Sequence, residues 1–222
     1  MQVTPIGLDL AKNILQVHGI TDEGDVALNS PLRFAQVLTF FKRLNPCLVG
    51  MEACGTSHHL AREISELGHE VRLIPPMYVK PYVKRGQSNA IDAEAICEAI
   101  TRPTMRFVEI KPVDQQAQLS LHRVRGLMVR QRTQLINALR SLLAEFGVYI
   151  ARGFVRVISF AQGVVKGIEL DLPTVAQDVF LYLCQQLGTL HEQVRWYEVR
   201  LRQEAKLDAR VRLYRQSLAL AQ

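Results

Sequence analysis

The chain has 222 residues, of which 48% are hydrophobic and 22% are charged, so its composition excludes a disordered or fibrous protein. Its longest stretch without Asp, Glu, Lys or Arg is 13 residues, 179–191, whereas a membrane-spanning helix needs ~20 apolar residues. We therefore expect no membrane span. We also expect no signal peptide, because Asp9 and Lys12 interrupt the first apolar segment.

The charge is unevenly distributed along the chain. There are 27 Lys and Arg against 21 Asp and Glu, a formal net charge of +6. Residues 1–113 hold 12 basic and 12 acidic side chains, whereas residues 114–222 hold 15 basic and 9 acidic ones. All but two of those 15 are arginines, whose planar guanidinium suits bidentate phosphate contacts. The second half therefore favours nucleic-acid binding, although a solvated helical surface is the alternative.

The first half alternates between strand and helix patterns. Three short apolar runs joined by tight turns predict strands that pair antiparallel, and later segments alternate helical spacing with buried apolar runs. In chain order the predicted elements are strands 3–10, 14–20 and 26–28, helix 32–44, strand 47–51, helix 55–67 and strand 69–74. This order predicts an α/β fold of the ribonuclease-H-like type, with a mixed sheet and flanking helices.

The second half is predicted to be helical. Residues 114–146 show one apolar face, and residues 147–172 hold four glycines and no clean period, which predicts a loop or short connecting elements. From Leu187, apolar residues recur at alternating steps of three and four, and the pattern resumes at Leu207 and runs to Leu218 after a break. This predicts an α-helical coiled-coil region, whose seam packs either within one chain or between chains. We place the domains at residues 1–112 and 113–222.

Carboxylates end two of the predicted buried strands. Asp9 ends the first strand and Glu52 ends the strand over 47–51, so adjacent strands would bring both to one sheet edge. A helix is predicted to begin near residue 89, where Asn89 and Asp92 lie one turn apart on one face, with Glu94 turned away from them. Clustered anions of this kind favour a hard cation such as Mg²⁺. Taken singly, each acid is better explained as a residue that caps its strand in solvent.

Three sequence blocks occur in a characteristic order: IGLDLAK, MEACGTSHH and IPPMYVKPYVKRGQSNAIDAEAICEAI. Together with the Arg-rich stretch that follows, they closely resemble the DEDD transposases of insertion-sequence family 110, which are relatives of the Piv DNA invertases. The resemblance covers essentially the whole chain. It implies a catalytic domain similar to the Holliday-junction resolvase RuvC, and a bacterial, cytoplasmic enzyme of DNA transposition.

The resemblance also implies the site residues. The family's acids fall on Asp9, Glu52 and Asp92, which would bind a pair of Mg²⁺ ions, and its third acid falls on Asn89. An amide oxygen still ligates a cation, but the site loses one of four negative charges. The alternative is therefore a catalytically impaired or truncated copy that binds nucleic acid without being an active enzyme alone. Family members continue into a C-terminal domain that supplies a serine, and we expect this chain to lack it.

Basic residues are predicted to contact nucleic acid in two places. Between residues 121 and 144 there are five arginines and no acid, among them the pairs Arg123/Arg130 and Arg125/Arg132, each seven residues apart. The first pair lies opposite the apolar stripe and would meet phosphate, whereas the second borders the stripe and would have to extend outward. Tyrosines alternate with basic residues just before Asn89, where Lys84 and Arg85 are further candidates. The resemblance further implies a structured guide RNA, and the C-terminal helices predict a homo-oligomer.

Overall fold

The computed structural model describes residues 3–10, 14–83 and 88–207 and divides the chain into two compact units, residues 1–113 and 114–222. The first unit holds a five-stranded sheet with helices, and the second is helical. The elements of the first unit are β1 (Val3–Leu10), β2 (Ile14–Thr21), β3 (Val26–Arg33), α1 (Val37–Phe41), β4 (Leu48–Glu52), α2 (Ser57–Glu66), β5 (Glu70–Ile74), α3 (Pro76–Val79) and α4 (Asn89–Ala99).

The sheet has the strand order β3-β2-β1-β4-β5. β1, β2 and β3 pair antiparallel, whereas β4 pairs parallel with both β1 and β5. An antiparallel meander continued by parallel strands, with helical connections, is the ribonuclease-H-like arrangement. The predicted fold class is therefore confirmed. Because β1 and β4 are interior strands, their apolar side chains Ile6, Leu8, Val49 and Met51 are fully buried.

The third strand and the first helix differ from the sequence prediction. β3 extends to Arg33, because its ladder with β2 continues from Gln16–Pro31 to Ile14–Arg33. Pro31 is tolerated there since β3 is an edge strand. Leu32 and Arg33, which were expected to begin a helix, therefore belong to β3. A single 3-10 turn (Phe34–Gln36) and the short α1 replace the longer predicted helix.

The second unit is built from three helices, α5 (Val113–Glu145), α6 (Phe154–Val165) and α7 (Thr174–Leu207). α6 lies where the sequence predicted a loop or short connecting elements. Its buried residues recur at helical spacing, and they pack with α5 and α7 in one apolar cluster. That cluster comprises Ile136, Leu139, Leu143, Val157, Ile158, Ala161, Val164, Phe180, Cys184 and Leu187.

The first part of the predicted seam of α7 is buried, whereas Tyr197 and Leu201, further along it, are half-buried. Leu187, Leu190 and Val194 are buried, as packing within one chain requires. The continuation of the seam past residue 207 lies outside the described residues, and pairing between chains stays a prediction. Among the described helices, none combines the length and the apolar character needed to cross a membrane.

Candidate active site at the carboxyl edge of the sheet

Two acids lie side by side on the central strands. Leu8 of β1 pairs with Met51 of β4 in a parallel ladder, and Asp9 and Glu52 are the residues that follow this pair. Neighbouring strands are only about 4.8 Å apart. The two carboxylates therefore leave the sheet at the same edge, as expected for acids that end adjacent parallel strands.

Glycines on β1 and β4 allow α4 to pack closely against one face of the sheet. A Cβ atom on Gly7 would lie 2.1 Å from the carbonyl oxygen of Ala93, and one on Gly50 would lie 2.8 Å from Cδ1 of Ile100. Side chains two residues apart on a strand share a face. Asp9, two residues after Gly7, and Glu52, two after Gly50, are therefore on the face that α4 covers.

The direction of α4 places its first turn beside these acids. The thiol of Cys97 donates to the carbonyl oxygen of Pro5 at 3.4 Å, whereas Gly7, further along β1, lies nearest to Ala93 and next to Cys97. The helix thus runs antiparallel to β1, and its N-terminal residues lie level with Asp9.

Asn89 and Asp92 belong to this first turn. Ser88 caps the helix, since its hydroxyl accepts from the backbone N–H of Ile91. The backbone N–H of Asp92 in turn bonds the carbonyl oxygen of Ser88 at 3.1 Å. Asn89 is exposed and Asp92 half-buried at the positive end of the helix dipole, which favours anionic groups.

The carboxylates influence one another electrostatically. Burial, followed by the charges of Asp92 and Glu52, raises the pKa of Asp9 to about 6, and the backbone N–H of Leu10 opposes the shift only in part. Burial and the charge of Asp92 likewise raise the pKa of Glu52, against the opposing charge of Lys80. Three acids from three different elements, β1, β4 and α4, are thus close enough to repel one another.

The raised pKa predicts that Asp9 weakens the fold at neutral pH. Between about pH 4 and pH 6 the unfolded chain releases this proton while the native carboxyl keeps it, so the free energy of unfolding falls as the pH rises and levels off above pH 6. We expect Asp9→Asn to lack this loss and to melt at a higher temperature than the wild type at pH 7, but not below pH 4. Thermal denaturation across this range, without divalent cations, measures the difference.

Asp25→Asn is the matched control. Asp25 lies in the exposed β2–β3 turn, which is at the opposite end of the strands from Asp9. A divalent cation added at pH 7 should stabilise the wild type and narrow its difference from Asp9→Asn. Identical pH profiles for the wild type and Asp9→Asn would contradict the assignment.

The donor chemistry of the site fits a hard divalent cation. Such ions take carboxylate and amide oxygens, and a cation would relieve the repulsion that raises the pKa values of Asp9 and Glu52. Within residues 3–10, 14–83 and 88–207, no three His, Cys, Asp or Glu side chains form a preassembled metal cluster. Asp9, Glu52 and Asp92 are close enough for their charges to interact, but they do not form a ready-made set of metal ligands. Binding of a cation would therefore have to bring their carboxylates closer together.

Lys80 is a basic neighbour of the site that the sequence did not connect with the acids. It opens a 3-10 turn (Lys80–Tyr82) directly after α3, which follows the strand that pairs with β4. Its charge lowers the pKa of Glu52. The alternation of tyrosine and basic residues marked this segment, but only the parallel pairing of β4 with β5 brings it to Glu52.

The four arginines predicted on α5 fall into two classes. Arg123 and Arg130 are exposed. Arg125 instead donates to Oε1 of Glu198 on α7 at 2.8 Å. The ion pair with Glu198 holds the guanidinium of Arg125 against α7. Arg123 and Arg130 are therefore the arginines available to an outside ligand.

Arg132 is also engaged within the helical unit. Its guanidinium carbon lies 4.3 Å from the ring centroid of Phe154, and its NH1 atom lies 3.4 Å from Nδ1 of His191. Burial lowers the pKa of Arg132, which is the mark of a desolvated cation. Lys84 and Arg85, the other predicted contacts, lie outside the described residues.

Comparison with known proteins identifies relatives over most of the chain. The sequence model of the DEDD transposases of insertion-sequence family 110, described as "Transposase", matches residues 6–148. A "Probable family 20 transposase" of Pseudomonas aeruginosa is 45% identical over 95% of this chain. The "Transposase for insertion sequence element IS1328" of Yersinia enterocolitica is 41% identical over 90% of it.

The chain covers only part of these relatives, 63% of the first protein and 59% of the second. Among solved structures, T. thermophilus RuvC in complex with a Holliday junction substrate is similar over 49% of this chain and the whole of that one, at 16% identity and a TM-score of 0.36. The structural likeness is too weak to bear on function, whereas the sequence matches establish a relationship.

Proposed function

Because the chain belongs to the DEDD transposases of insertion-sequence family 110, we propose that it cleaves and transfers DNA strands in the transposition of a bacterial insertion sequence. The observation that carries this proposal is the placement of Asp9 and Glu52 at the ends of adjacent parallel strands, with Asp92 in the first turn of the helix that packs on the same face. Acids gathered in this way at the carboxyl ends of strands are suited to cation-assisted phosphodiester chemistry.

In this proposal Asp9, Glu52 and Asp92 would hold the divalent cation, for which we propose Mg²⁺, and the amide oxygen of Asn89 would be a further, neutral ligand. When bound, the metal supplies charge stabilisation for the attacking and leaving oxygens of the phosphodiester. α4 positions Asp92 and Asn89 through the close contacts at Gly7 and Gly50. Lys80 offsets part of the negative charge at Glu52 and would meet the incoming phosphate.

The test is removal of the metal. Since the chain spans about three fifths of the length of its relatives, the assay scores DNA nicking rather than complete transposition. We expect a supercoiled plasmid carrying the ends of the insertion sequence to be nicked with Mg²⁺ and left intact with EDTA. Nicking that persists in EDTA would contradict the proposal.

We also propose that the exposed face of α5 contacts the DNA backbone. We expect Arg123→Ala and Arg130→Ala each to lower the slope of log affinity against log salt for duplex DNA by about 0.9, the value for one lost phosphate contact. Fluorescence anisotropy over a salt series measures this slope. Binding by these variants that is as steep in salt as that of the wild type would contradict the proposal.

Arg125→Ala is the matched control on the same helix. It removes the same charge, but from a guanidinium bonded to Glu198, so its main effect should be on stability, by up to about 1 kcal/mol for a partly exposed ion pair. Arg125 and Arg132 would have to leave Glu198 and His191 to contact a nucleic acid. Lys84 and Arg85 remain predicted nucleic-acid contacts.

Three further predictions belong to this function. A structured guide RNA, a homo-oligomer formed through the C-terminal helices, and a bacterial cytoplasmic location are proposed on the family relationship and the charge of the helical unit. Co-purification of RNA with the protein tests the guide RNA. The mass of the protein in solution tests the homo-oligomer.

A further inference from the structure

A cavity of about 300 Å³ lies in the sheet-containing unit, between the segment after β5 and the segment after α4. It is lined by Tyr78, Pro81, Tyr82, Thr104, Met105 and Arg106. Two aromatic rings, an apolar side chain and an arginine around one small opening form a combination suited to a flat aromatic ligand that carries negative charge.

The walls of the cavity differ in how firmly they are held. Tyr82 and Met105 are half-buried and pack against the apolar cluster of Ile74, Val79 and Ile96. The guanidinium carbon of Arg102 lies 5.7 Å from the ring centroid of Tyr82. Tyr78, by contrast, is 37% exposed. The ring of Tyr82 is thus part of the packed wall of the cavity, whereas the ring of Tyr78 is open to a ligand.

The segment that carries Tyr78 and Tyr82 begins at the acidic edge of the sheet, because Ile74, the last residue of β5, pairs with Glu52. Lys80 lies between Tyr78 and Tyr82 in sequence, at the start of the 3-10 turn. Its charge acts on Glu52. A nucleic-acid strand whose phosphate meets Lys80 would therefore present its adjoining base to the two tyrosines, with Arg106 near a neighbouring phosphate.

We propose that this cavity binds one unpaired nucleotide of the DNA strand at the acidic site, with its base stacked on Tyr78 and Tyr82 and its phosphates facing Lys80 and Arg106. The inference rests on the proposed function, because the acidic site identifies the strand as DNA. Stacking on aromatic rings holds a base without selecting its sequence, since every base has a π-face. The subsite would thus position a strand rather than read it.

The test compares two single-stranded probes in EDTA, so that cleavage does not contribute. One is a fluorescein-labelled oligothymidylate, and the other is an oligomer of the same length and charge whose nucleotides are all abasic. We expect Tyr78→Ala to weaken oligothymidylate binding about tenfold, the loss of one stacked base, and to leave binding of the abasic probe unchanged. Tyr78→Phe should bind like the wild type, because it keeps the ring.

Two further variants separate base contact from charge. Arg106→Ala should weaken both probes and lower the salt slope by about 0.7, as expected for one phosphate of a single strand. Tyr149→Ala, which removes a highly exposed tyrosine from the helical unit, should change neither probe. Equal wild-type affinity for the two probes, or equal effects of Tyr78→Ala and Tyr149→Ala, would overturn the proposal. So would a tenfold preference for oligouridylate, which would assign the cavity to RNA.

The binding assay separates this inference from the proposed function. Base-dependent binding that Tyr78→Ala weakens about tenfold, in a protein that nicks DNA without a metal, would support the subsite and contradict the function. Metal-dependent nicking with no discrimination between the probes would do the reverse.

Discussion

We expect Asp92→Asn to reduce divalent-cation affinity and metal-dependent DNA nicking by about 100-fold or more, with the fold intact. The charge of Asp92 acts on both Asp9 and Glu52, so its removal relieves two of the repulsions in the site at once. A metal ion at a phosphodiester is worth several kcal/mol of transition-state stabilisation, and each 1.4 kcal/mol is a factor of ten. Isothermal titration with Mn²⁺ and Mg²⁺, together with plasmid nicking, measures both quantities.

The reverse change is Asn89→Asp, one turn away on the same helix. It adds a carboxylate at the first residue of α4 and restores the fourth negative charge, so we expect tighter metal binding and faster nicking than in the wild type. In the absence of metal the added charge should lower the melting temperature, because it adds to the repulsion that Asp92 and Glu52 exert on Asp9 and the helix dipole offsets only part of it. The two expected effects have opposite signs, which a general change in stability would not produce.

Glu94→Gln is the matched control for this pair of variants. It neutralises an acid of the same helix that lies roughly 200° around the helix from Asp92. We expect little change in metal affinity. Equal metal affinity and equal nicking for the wild type and Asn89→Asp would show that the charge at position 89 does not matter, and the proposed weakening of this site by its asparagine would then be wrong.

The second large effect is expected from Gly7→Ala. The added Cβ would meet the carbonyl oxygen of Ala93 at 2.1 Å and the backbone nitrogen of Cys97 at 2.6 Å. Both are backbone atoms, so no side-chain rotation relieves the contact and α4 has to move as a body. Overpacking of this kind costs typically about 1–3 kcal/mol, and we expect about 3 kcal/mol here. Urea denaturation measures the loss.

Gly7→Ala should also weaken metal binding, because displacing α4 carries Asp92 away from Asp9. Gly50→Ala is the graded comparison, since its nearest contacts at 2.8 and 3.0 Å are side-chain atoms of Ile100 and Ile96 that can shift. We expect it to cost about 1 kcal/mol. Gly55→Ala, which meets nothing within 4 Å, is the control. A Gly7→Ala protein as stable as Gly55→Ala would contradict this account of how α4 is positioned.

Much of the sheet-containing unit was predictable from local pattern. Asp9 and Glu52 end short apolar runs, and the rule that parallel strands place their carboxyl ends together is enough to bring them to one edge. Asn89 and Asp92 follow from the spacing of one turn at the start of a predicted helix. The family blocks then assigned all four to one site. Their roles remain proposals, but the sequence was sufficient to select the residues.

Other features had no local signal. Arg125 and Arg132 have the same spacing as Arg123 and Arg130, and the sequence placed them at the border of the apolar stripe without showing what they meet. Glu198 and His191, which lie more than 50 residues away, were the missing partners. The helix over Phe154–Val165 was missed for a similar reason, because its period becomes clear only when α5 and α7 show which of its side chains are buried.

The sequence by itself determined the fold class and the family and selected the candidate acids, because strand ends, helix starts and ordered motifs are local properties of the chain. Only the tertiary structure decided what lies beside those acids. The charge of Lys80 reaches Glu52 because β4 and β5 are parallel neighbours. α4 reaches the sheet because Gly7 and Gly50 have no side chains. Contacts between residues far apart in sequence depend on packing and strand order, which no short segment of the chain encodes.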